Sequence, residues 1–426
     1  MKRVVITGLG VVAPNGTGVH NFLESIKHGV SGIRRDPELE SCDFQSMISG
    51  IPDLSGVDQL NYFSRIENRF VFSEAIRYSV IAAKEAWEDA NLPVYADDFI
   101  DWDTGAVIGA GSIAMDPTML SQMRLIYDQK DVRRLGSKVT EQRMNNGPAV
   151  YVSGKLGLGN WVASNSSACS TGTEAIIMGY DWIRTGRAKR MVCGSTEGQG
   201  SGSWAGFESM RILVRNSNDA PEKASRPMSA NASGFVASTG AGMLILEEYE
   251  SAMERGAPIY AEIIGGYSNS GAQRRGGTMV APNPEGVQRC ISSTIEMSGI
   301  EPKHIDLISG HLTGTMADPL EIENWKTVLN LPGKEFPYIN SLKSMIGHGL
   351  GAAGSIEMVA CCLQMKHKFV HPSINAEPIH PKIADMIDVG SIPSKEAIMT
   401  DLTYIAKTSF AFGDTNSCLI IKNLEN

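Results

Sequence analysis

The sequence predicts a layered α/β fold assembled from two related halves, on three observations. Short apolar runs of strand length alternate with helical stretches along the chain, the order expected when helices cover the faces of a sheet. The 426 residues exceed the length at which one hydrophobic core usually keeps growing. A turn-rich break at Glu254-Arg-Gly-Ala-Pro258 precedes Ile259-Tyr-Ala-Glu-Ile-Ile-Gly265, which reads as a second opening strand. The halves are therefore expected over residues 1–254 and 255–426.

The elements follow in chain order. Met1-Lys-Arg-Val-Val-Ile-Thr-Gly-Leu-Gly10 holds an apolar run too brief for a signal peptide or a membrane span, so Val4 to Thr7 reads as a buried first strand. Ser73 to Ala90 has helical periodicity. Thr104 to Ile108, Trp161 to Ser164, Arg190 to Cys193 and Gly242 to Leu246 read as the other strands of the first half, and Thr173 to Tyr180 as a helix. Beyond the break, Ile305 to Ile308 is strand-like and Ser355 to Met365 helical.

Composition narrows the function. Hydrophobic residues at 42% and charged residues at 20% describe an ordinary globular enzyme. A net charge of -9 argues against general nucleic-acid binding, which needs a basic face. The seven cysteines form no C-x-x-C pair and no zinc-like His/Cys cluster, so neither disulfides nor a metal site is expected, and a reducing cytoplasm fits.

One cysteine stands apart. Ser164-Asn-Ser-Ser-Ala-Cys-Ser-Thr-Gly172 places Cys169 between an extended small-residue segment and a helix start. A free thiol titrates at about 8.5, and a helix N-terminus lowers that value, so the position predicts a reactive thiolate. Two further segments carry histidines. Gly310-His-Leu-Thr-Gly-Thr315 follows a strand and presents His311, with Thr313 and Thr315 on an alternating pattern that faces one ligand. Asn340-Ser-Leu-Lys-Ser-Met-Ile-Gly-His-Gly-Leu-Gly-Ala-Ala-Gly354 holds Lys343 and His348 before a helix. A phosphate-binding loop is the alternative for that segment, but the Gly-Lys-Ser/Thr order is missing. A fourth segment, Thr408-Ser-Phe-Ala-Phe-Gly-Asp-Thr-Asn416, brings Phe410 and Phe412.

These four segments, in this order, resemble the condensing enzymes of the β-ketoacyl-acyl carrier protein synthase family, closest to synthases I and II. Asn218 to Pro227 and Val280 to Gly286 extend the resemblance over almost the whole chain. It implies a thiolase-like fold whose two related halves form a five-layer αβαβα arrangement. It implies an acyltransferase in which Cys169 takes an acyl chain, His311 and His348 stabilise the enolate left by malonyl decarboxylation, and Lys343 supports them electrostatically. Backbone N–H groups of Cys169 and Phe412 would form the oxyanion hole. Phe412 would close over the acyl pocket as a gate with Phe410 nearby, and Thr313 and Thr315 would contact the pantetheine arm. Asp318 and Glu321 would hold Lys343 by ion pairing. Ser112 would border the acyl pocket across a dimer.

The implied partner is an acyl carrier protein, whose acidity calls for a basic entrance. Arg65 and Arg69 match the family's docking region, and Lys130, Arg133, Arg134 and Lys138 form a second basic run. The phosphopantetheine arm arrives on the carrier, so no resident cofactor or metal is expected. The assembly would be a homodimer, or a heterodimer with a chain-length-factor-like subunit. A thiolase lacks support because no second cysteine lies in a Cys-x-Gly context, and a cysteine hydrolase because nothing supplies a carboxylate-oriented base.

Several positions depart from the family pattern. Leu312, Ala411 and Asp414 replace glycines, one residue is missing between Thr315 and Asp318, and Ser229-Ala-Asn-Ala-Ser233 lacks the charges usual there. The expectation is a specialised substrate, such as a polyene or aryl-primed chain.

Overall fold

A computed structural model of the chain describes residues 1–96, 98–111, 117–198 and 200–425. Its main sheet contains β1 (Val4–Ala13), β2 (Thr104–Ala110), β3 (Val162–Ala163), β4 (Arg190–Glu197), β5 (Gly240–Glu248), β6 (Ala261–Ser270), β7 (Leu307–Ser309), β8 (Tyr338–Asn340), β9 (Tyr404–Ala411) and β10 (Thr415–Lys422). They pair in the order β8-β7-β9-β10-β6-β1-β5-β4-β2-β3. Most expected strands run longer than their apolar cores, because strands covered on both faces accept glycine, serine and threonine beyond the hydrophobic run. Trp161 to Ser164 and Ile305 to Ile308 are exceptions: the first keeps only Val162–Ala163 as β3, and the second shifts to Leu307–Ser309 as β7.

The pairing order is a duplication. In the first half β1 pairs β5 antiparallel, β5 pairs β4 antiparallel, and β4, β2 and β3 are parallel. In the second half β6, β10, β9, β7 and β8 repeat the same sequence of antiparallel and parallel steps. The halves join where Val4, Ile6 and their neighbour pair with Ala261 to Ile263.

Helices cover the sheets in layers, and the apolar clusters show which face each one buries. The relevant helices are α1 (Glu74–Asp89), α2 (Thr171–Arg184), α3 (Pro284–Ser298), α4 (Asp318–Leu329) and α5 (Ala353–His367). The inner faces of both half-sheets pack on α2 and α5, as in the cluster of Val4, Ile6, Ile176, Leu244, Ile356, Val359 and Leu419. The outer face of the first half packs on α1 and that of the second on α3 and α4. The result is a thiolase-like αβαβα arrangement. Every residue of α5 from Ala353 to Met365 is buried, as expected for a helix enclosed by two sheets.

The two central helices meet at their N-termini through glycines. A Cβ on Gly172 would lie 2.5 Å from the Ser355 nitrogen, and one on Gly354 would lie 2.6 Å from the Thr173 nitrogen. Contact this close between backbones requires residues without side chains. It brings the segment before α2, which holds Cys169, against the segment before α5, which holds His348.

Candidate active site

Cys169 sits in a tight turn, Ala168–Ser170, directly ahead of α2. Ala168 has φ 48, a left-handed conformation uncommon for a residue with a side chain and typical of strained functional turns. Hydroxyls hold that turn. Thr171 Oγ1 donates to the Ala168 carbonyl at 2.6 Å, Ser170 Oγ donates to the Ser409 carbonyl at 3.0 Å, and Thr173 Oγ1 meets Ser409 Oγ at 2.9 Å. The nucleophile's turn is thus tied to β9 of the other half.

His348 reaches the sulfur from the opposite side. After the helical turn Lys343–Ile346, Gly347 adopts φ 74, and the His348 N–H donates to the Val236 carbonyl at 2.7 Å. His348 Nε2 lies 3.1 Å from Cys169 Sγ. The His311 ring packs edge-on to His348 with centroids 5.3 Å apart. One ligand-capable atom from each of Cys169, His311 and His348 falls within 4.8 Å of the others. The three expected chemical groups therefore converge.

The electrostatics differ from the expectation of a thiolate at a helix end. Burial pushes the Cys169 thiol up to about 12, against the lowering influence of Lys343 and of the Phe412 N–H aimed at the sulfur. That displacement corresponds to roughly 4 to 5 kcal/mol, whereas a helix terminus contributes at most about 2 kcal/mol. Desolvation outweighs the helix terminus and favours the thiol, at a residue that keeps part of its surface open to solvent. Burial, reinforced by Lys343, drives both His311 and His348 well below the ordinary imidazole value. Both rings are neutral near neutral pH. His348 can accept the thiol proton, and a neutral imidazole can donate an N–H to an oxygen.

Asp318 and Glu321 do something other than pair with Lys343. Glu321 accepts the N–H groups of His311 at 2.6 Å and Leu312 at 2.8 Å, while Asp318 accepts those of Thr313 at 2.9 Å, Gly314 at 3.1 Å and Met228 at 2.8 Å. The two carboxylates at the start of α4 grip the histidine loop by its backbone. Burial lifts Asp318 and takes Glu321 to about 7, with those N–H groups pulling the other way.

The lysine's partner is Glu357 on α5, which binds Lys343 through Oε1 and Lys407 of β9 through Oε2, the latter at 2.7 Å. Sequence reading missed both Glu357 and Lys407. Their signal was a charge inside an otherwise buried helix and an inward-facing strand.

Thr313 and Thr315 lie in a loop rather than on a strand, since β7 ends at Ser309. Gly314, at φ 77, folds that loop so that the two hydroxyls meet at 3.0 Å. Leu312, in place of a glycine, is buried in the outer cluster of the second half.

Phe412, Gly413 and Asp414 form the turn of the β9–β10 hairpin. The Phe410 ring centroid is 6.5 Å from that of His311, and the half-buried Phe412 ring is 6.2 Å from Phe207. Asp414 stands in the left-handed region at φ 61. Its carboxylate accepts N–H groups from Gln273 and Asn283, each at 2.8 Å, and the Gly413 N–H donates to the Met279 carbonyl at 2.8 Å. A Cβ on Gly271 or Gly277 would lie 2.3 or 2.4 Å from the Asp414 carboxylate. The glycine-to-aspartate departure thus ties the hairpin turn to residues 271–283.

Arg65 and Arg69 are exposed on the helix Arg65–Phe70, which opens with a Ser64/Glu67 capping box and exposes Ile66 and Phe70 beside them. In the second basic run Arg134 pairs with Asp131 at 3.0 Å and Lys138 with Glu141 at 2.9 Å, which locally neutralises two of its four charges. Ser112 lies outside the described residues. No helix among the described residues is long and apolar enough to cross a membrane.

Comparison with known proteins agrees along the whole chain. The family model for the β-ketoacyl synthase N-terminal domain matches residues 1–252, and that for its C-terminal domain matches residues 260–377. The 3-oxoacyl-[acyl-carrier-protein] synthase 1 of Escherichia coli is 32% identical over 429 residues, covering 100% of both chains. The corresponding synthase 2 of Staphylococcus aureus is 33% identical, covering 100% of this chain and 99% of its own. Among solved structures, a β-ketoacyl synthase from Burkholderia phymatum has a TM-score of 0.89 at 29% identity, with full coverage of both chains. A type II polyketide ketosynthase in complex with its acyl-carrier protein has a TM-score of 0.85 at 30% identity, covering 99% of this chain and 100% of its own. The ishigamide ketosynthase/chain length factor follows at 0.84 and 27%, with 99% of each chain covered.

Proposed function

Because the chain belongs to the β-ketoacyl synthase family, we propose that its Cys-His-His site carries the acyl transfer and decarboxylative condensation of a β-ketoacyl-acyl carrier protein synthase. The observation that carries this reading is the 3.1 Å approach of His348 Nε2 to Cys169 Sγ with His311 beside it.

In the first half-reaction Cys169 attacks the carbonyl carbon of an acyl-carrier thioester. His348 accepts the thiol proton, and the N–H groups of Phe412 and Cys169 receive the oxyanion. The carrier leaves as its free thiol. In the second, a malonyl-carrier thioester binds with its carbonyl oxygen toward the two neutral imidazoles. The bond to its carboxylate breaks, carbon dioxide departs, and the electron pair becomes an enolate stabilised by N–H donation from His311 and His348. The enolate carbon attacks the acyl-cysteine carbonyl, the Cys169 thiolate leaves, and the chain is two carbons longer.

Other residues take supporting roles. Lys343, held by Glu357, supplies positive potential; Thr313 and Thr315 receive the pantetheine arm; Arg65 and Arg69 meet the acidic carrier protein. The chemistry as proposed draws on these side chains and on the arm the carrier brings, with no resident cofactor or metal. We assign residues 1–254 and 255–426 as the halves and place the enzyme in the cytoplasm as a homodimer. The tied hairpin turn at Asp414 supports a specialised chain, of the polyene or aryl-primed kind, over routine elongation.

The similarity to a ketosynthase/chain length factor favours one second reading, that this chain is the active subunit of such a heterodimer. The native mass of the chain expressed alone separates the two: a stable homodimer that condenses removes the need for a partner.

The test of the main reading is mass spectrometry of wild type and Cys169→Ala with acyl-carrier and malonyl-carrier proteins. Acylation confined to wild type, followed by a product two carbons longer and carbon dioxide release, is the expected result. No acylation with any chain length would overturn the assignment of the nucleophile.

A further inference from the structure

The buried charge cluster behind the histidines holds two ammonium groups on one carboxylate. Lys343, Glu357 and Lys407 are all within 1% of full burial. Glu357 spends one oxygen on each lysine, and Lys407 Nζ also donates to the Thr408 carbonyl and, at 3.2 Å, to Ser409 Oγ. Ser409 in turn meets Thr173 and accepts from Ser170 on the nucleophile's turn. Lys407 therefore connects the cluster to the segment that aims Cys169.

Stability does not explain a second lysine here. A buried ion pair is typically no more stabilising than apolar residues of similar volume, and β9 between two apolar layers offers such an alternative. Of the other groups around the cluster, Glu321 does act on Lys343 with its negative charge, and loses that charge below about pH 7, where the acidic limb is read. Glu321 on α4 is turned to the backbone of His311 and Leu312 and sits at about 7. Cys361 on α5 and Cys418 on β10 are thiols that burial keeps protonated. Asp318 is committed to three N–H groups of the 228 and 313–314 backbone.

We propose that Lys407 is a positioning residue for the condensation step: by sharing Glu357 with Lys343 it keeps one unmatched positive charge behind His311 and His348, which favours the negative enolate oxygen they bind. The inference rests on the reading of those histidines as enolate donors. Its electrostatic reach is selective. Lys407 lowers both histidines, whereas the leading influences on Cys169 are burial, Lys343 and Glu197. Removing Lys407 should thus affect decarboxylation and condensation more than acylation.

The test uses the full chain with acyl-carrier and malonyl-carrier substrates between about pH 5 and 9, comparing wild type, Lys407→Met, Lys407→Gln and Lys407→Arg. Cys169 acylation and carbon dioxide release are measured separately. The neutral variants should lose carbon dioxide release by roughly tenfold while acylation changes far less. The acidic limb of their rate profile should move to higher pH, because imidazoles relieved of a nearby cation protonate more readily. Lys407→Arg should keep the wild-type limb. Lys407→Met combined with Glu357→Gln removes one charge of each sign, leaves the net charge behind the histidines unchanged and should keep the wild-type limb; it serves if the neutral variants do not fold. An unmoved limb in a folded neutral single variant, a limb moved in the double variant, or equal losses in both half-reactions, overturns the role of Lys407. Failure of wild type itself to acylate or to release carbon dioxide rejects the synthase reading instead.

Discussion

Gly172 and Gly354 meet backbone to backbone at the centre of the molecule, where a Cβ on Gly172 would stand 3.2 Å from the Gly354 carbonyl carbon. Since each glycine opens one of the two central helices, their contact sets the separation of Cys169 from His348. Gly354→Ala adds a methyl against the Thr173 nitrogen and should cost about 1 to 3 kcal/mol by overpacking. A lowered thermal midpoint together with slowed acylation is expected; an unchanged midpoint with full activity contradicts the packing account.

The thiol's reactivity should follow burial rather than the helix end. With Cys169 pushed up to about 12, alkylation of the free enzyme by iodoacetamide should be slow at neutral pH and climb throughout the alkaline range. A plateau reached near pH 6 would falsify the desolvated-thiol description and restore the thiolate.

The two histidines should separate by half-reaction. His311→Ala removes one enolate donor, and its carbon dioxide release should fall by about 3 to 4 kcal/mol in barrier, a factor of roughly 10² to 10³, while Cys169 acylation persists. His348→Ala should damage both steps, because of the two histidines His348 is the one hydrogen-bonded to the sulfur. Stopped-flow acylation and carbon dioxide assays on both variants check this, and identical profiles would contradict the division of roles.

Asp414 trades backbone comfort for loop anchoring. Glycine would relieve a left-handed φ by about 1 kcal/mol, but Asp414→Gly loses two charge-assisted bonds to Gln273 and Asn283, each worth about 1.5 to 3 kcal/mol. The variant should be less stable, and amide exchange over residues 271–283 should accelerate. The same protein, assayed against saturated, polyene and aryl-primed acyl carriers, tests the specialised-substrate proposal; a plain wild-type preference for saturated medium chains rejects it.

Charge reversal at Arg65 and Arg69 should raise the KM for carrier-bound substrate and weaken its salt dependence, leaving kcat nearly unchanged. An unaltered KM excludes this surface as the docking site. The exposed Ile66 and Phe70 beside the arginines give the surface an apolar element that survives the reversal.

Much of this protein was legible in one dimension because its chemistry sits in short local patterns. The Cys169 turn, the two histidine loops and the Phe412 hairpin each announce themselves through small residues and glycines needed for local backbone shape. The alternation of strands and helices announced the layers, since a strand or helix is set by the period of its own residues. The roles of the acids were not legible. Asp318 and Glu321 lie close in sequence to the histidine they serve, yet whether a carboxylate takes a lysine or two or three backbone N–H groups depends on which elements fold beside it.

The sequence alone pointed to the fold class, to two halves and to the three side chains that converge at the site, because each rests on contiguous residues. Tertiary structure alone decided the surroundings that raise the Cys169 thiol, the pairing of Glu357 with both Lys343 and Lys407, and the clamp at Asp414. Those properties arise from desolvation and from contacts between residues far apart in the chain. Neither is defined until two half-sheets close over the central helices and remove water from between them.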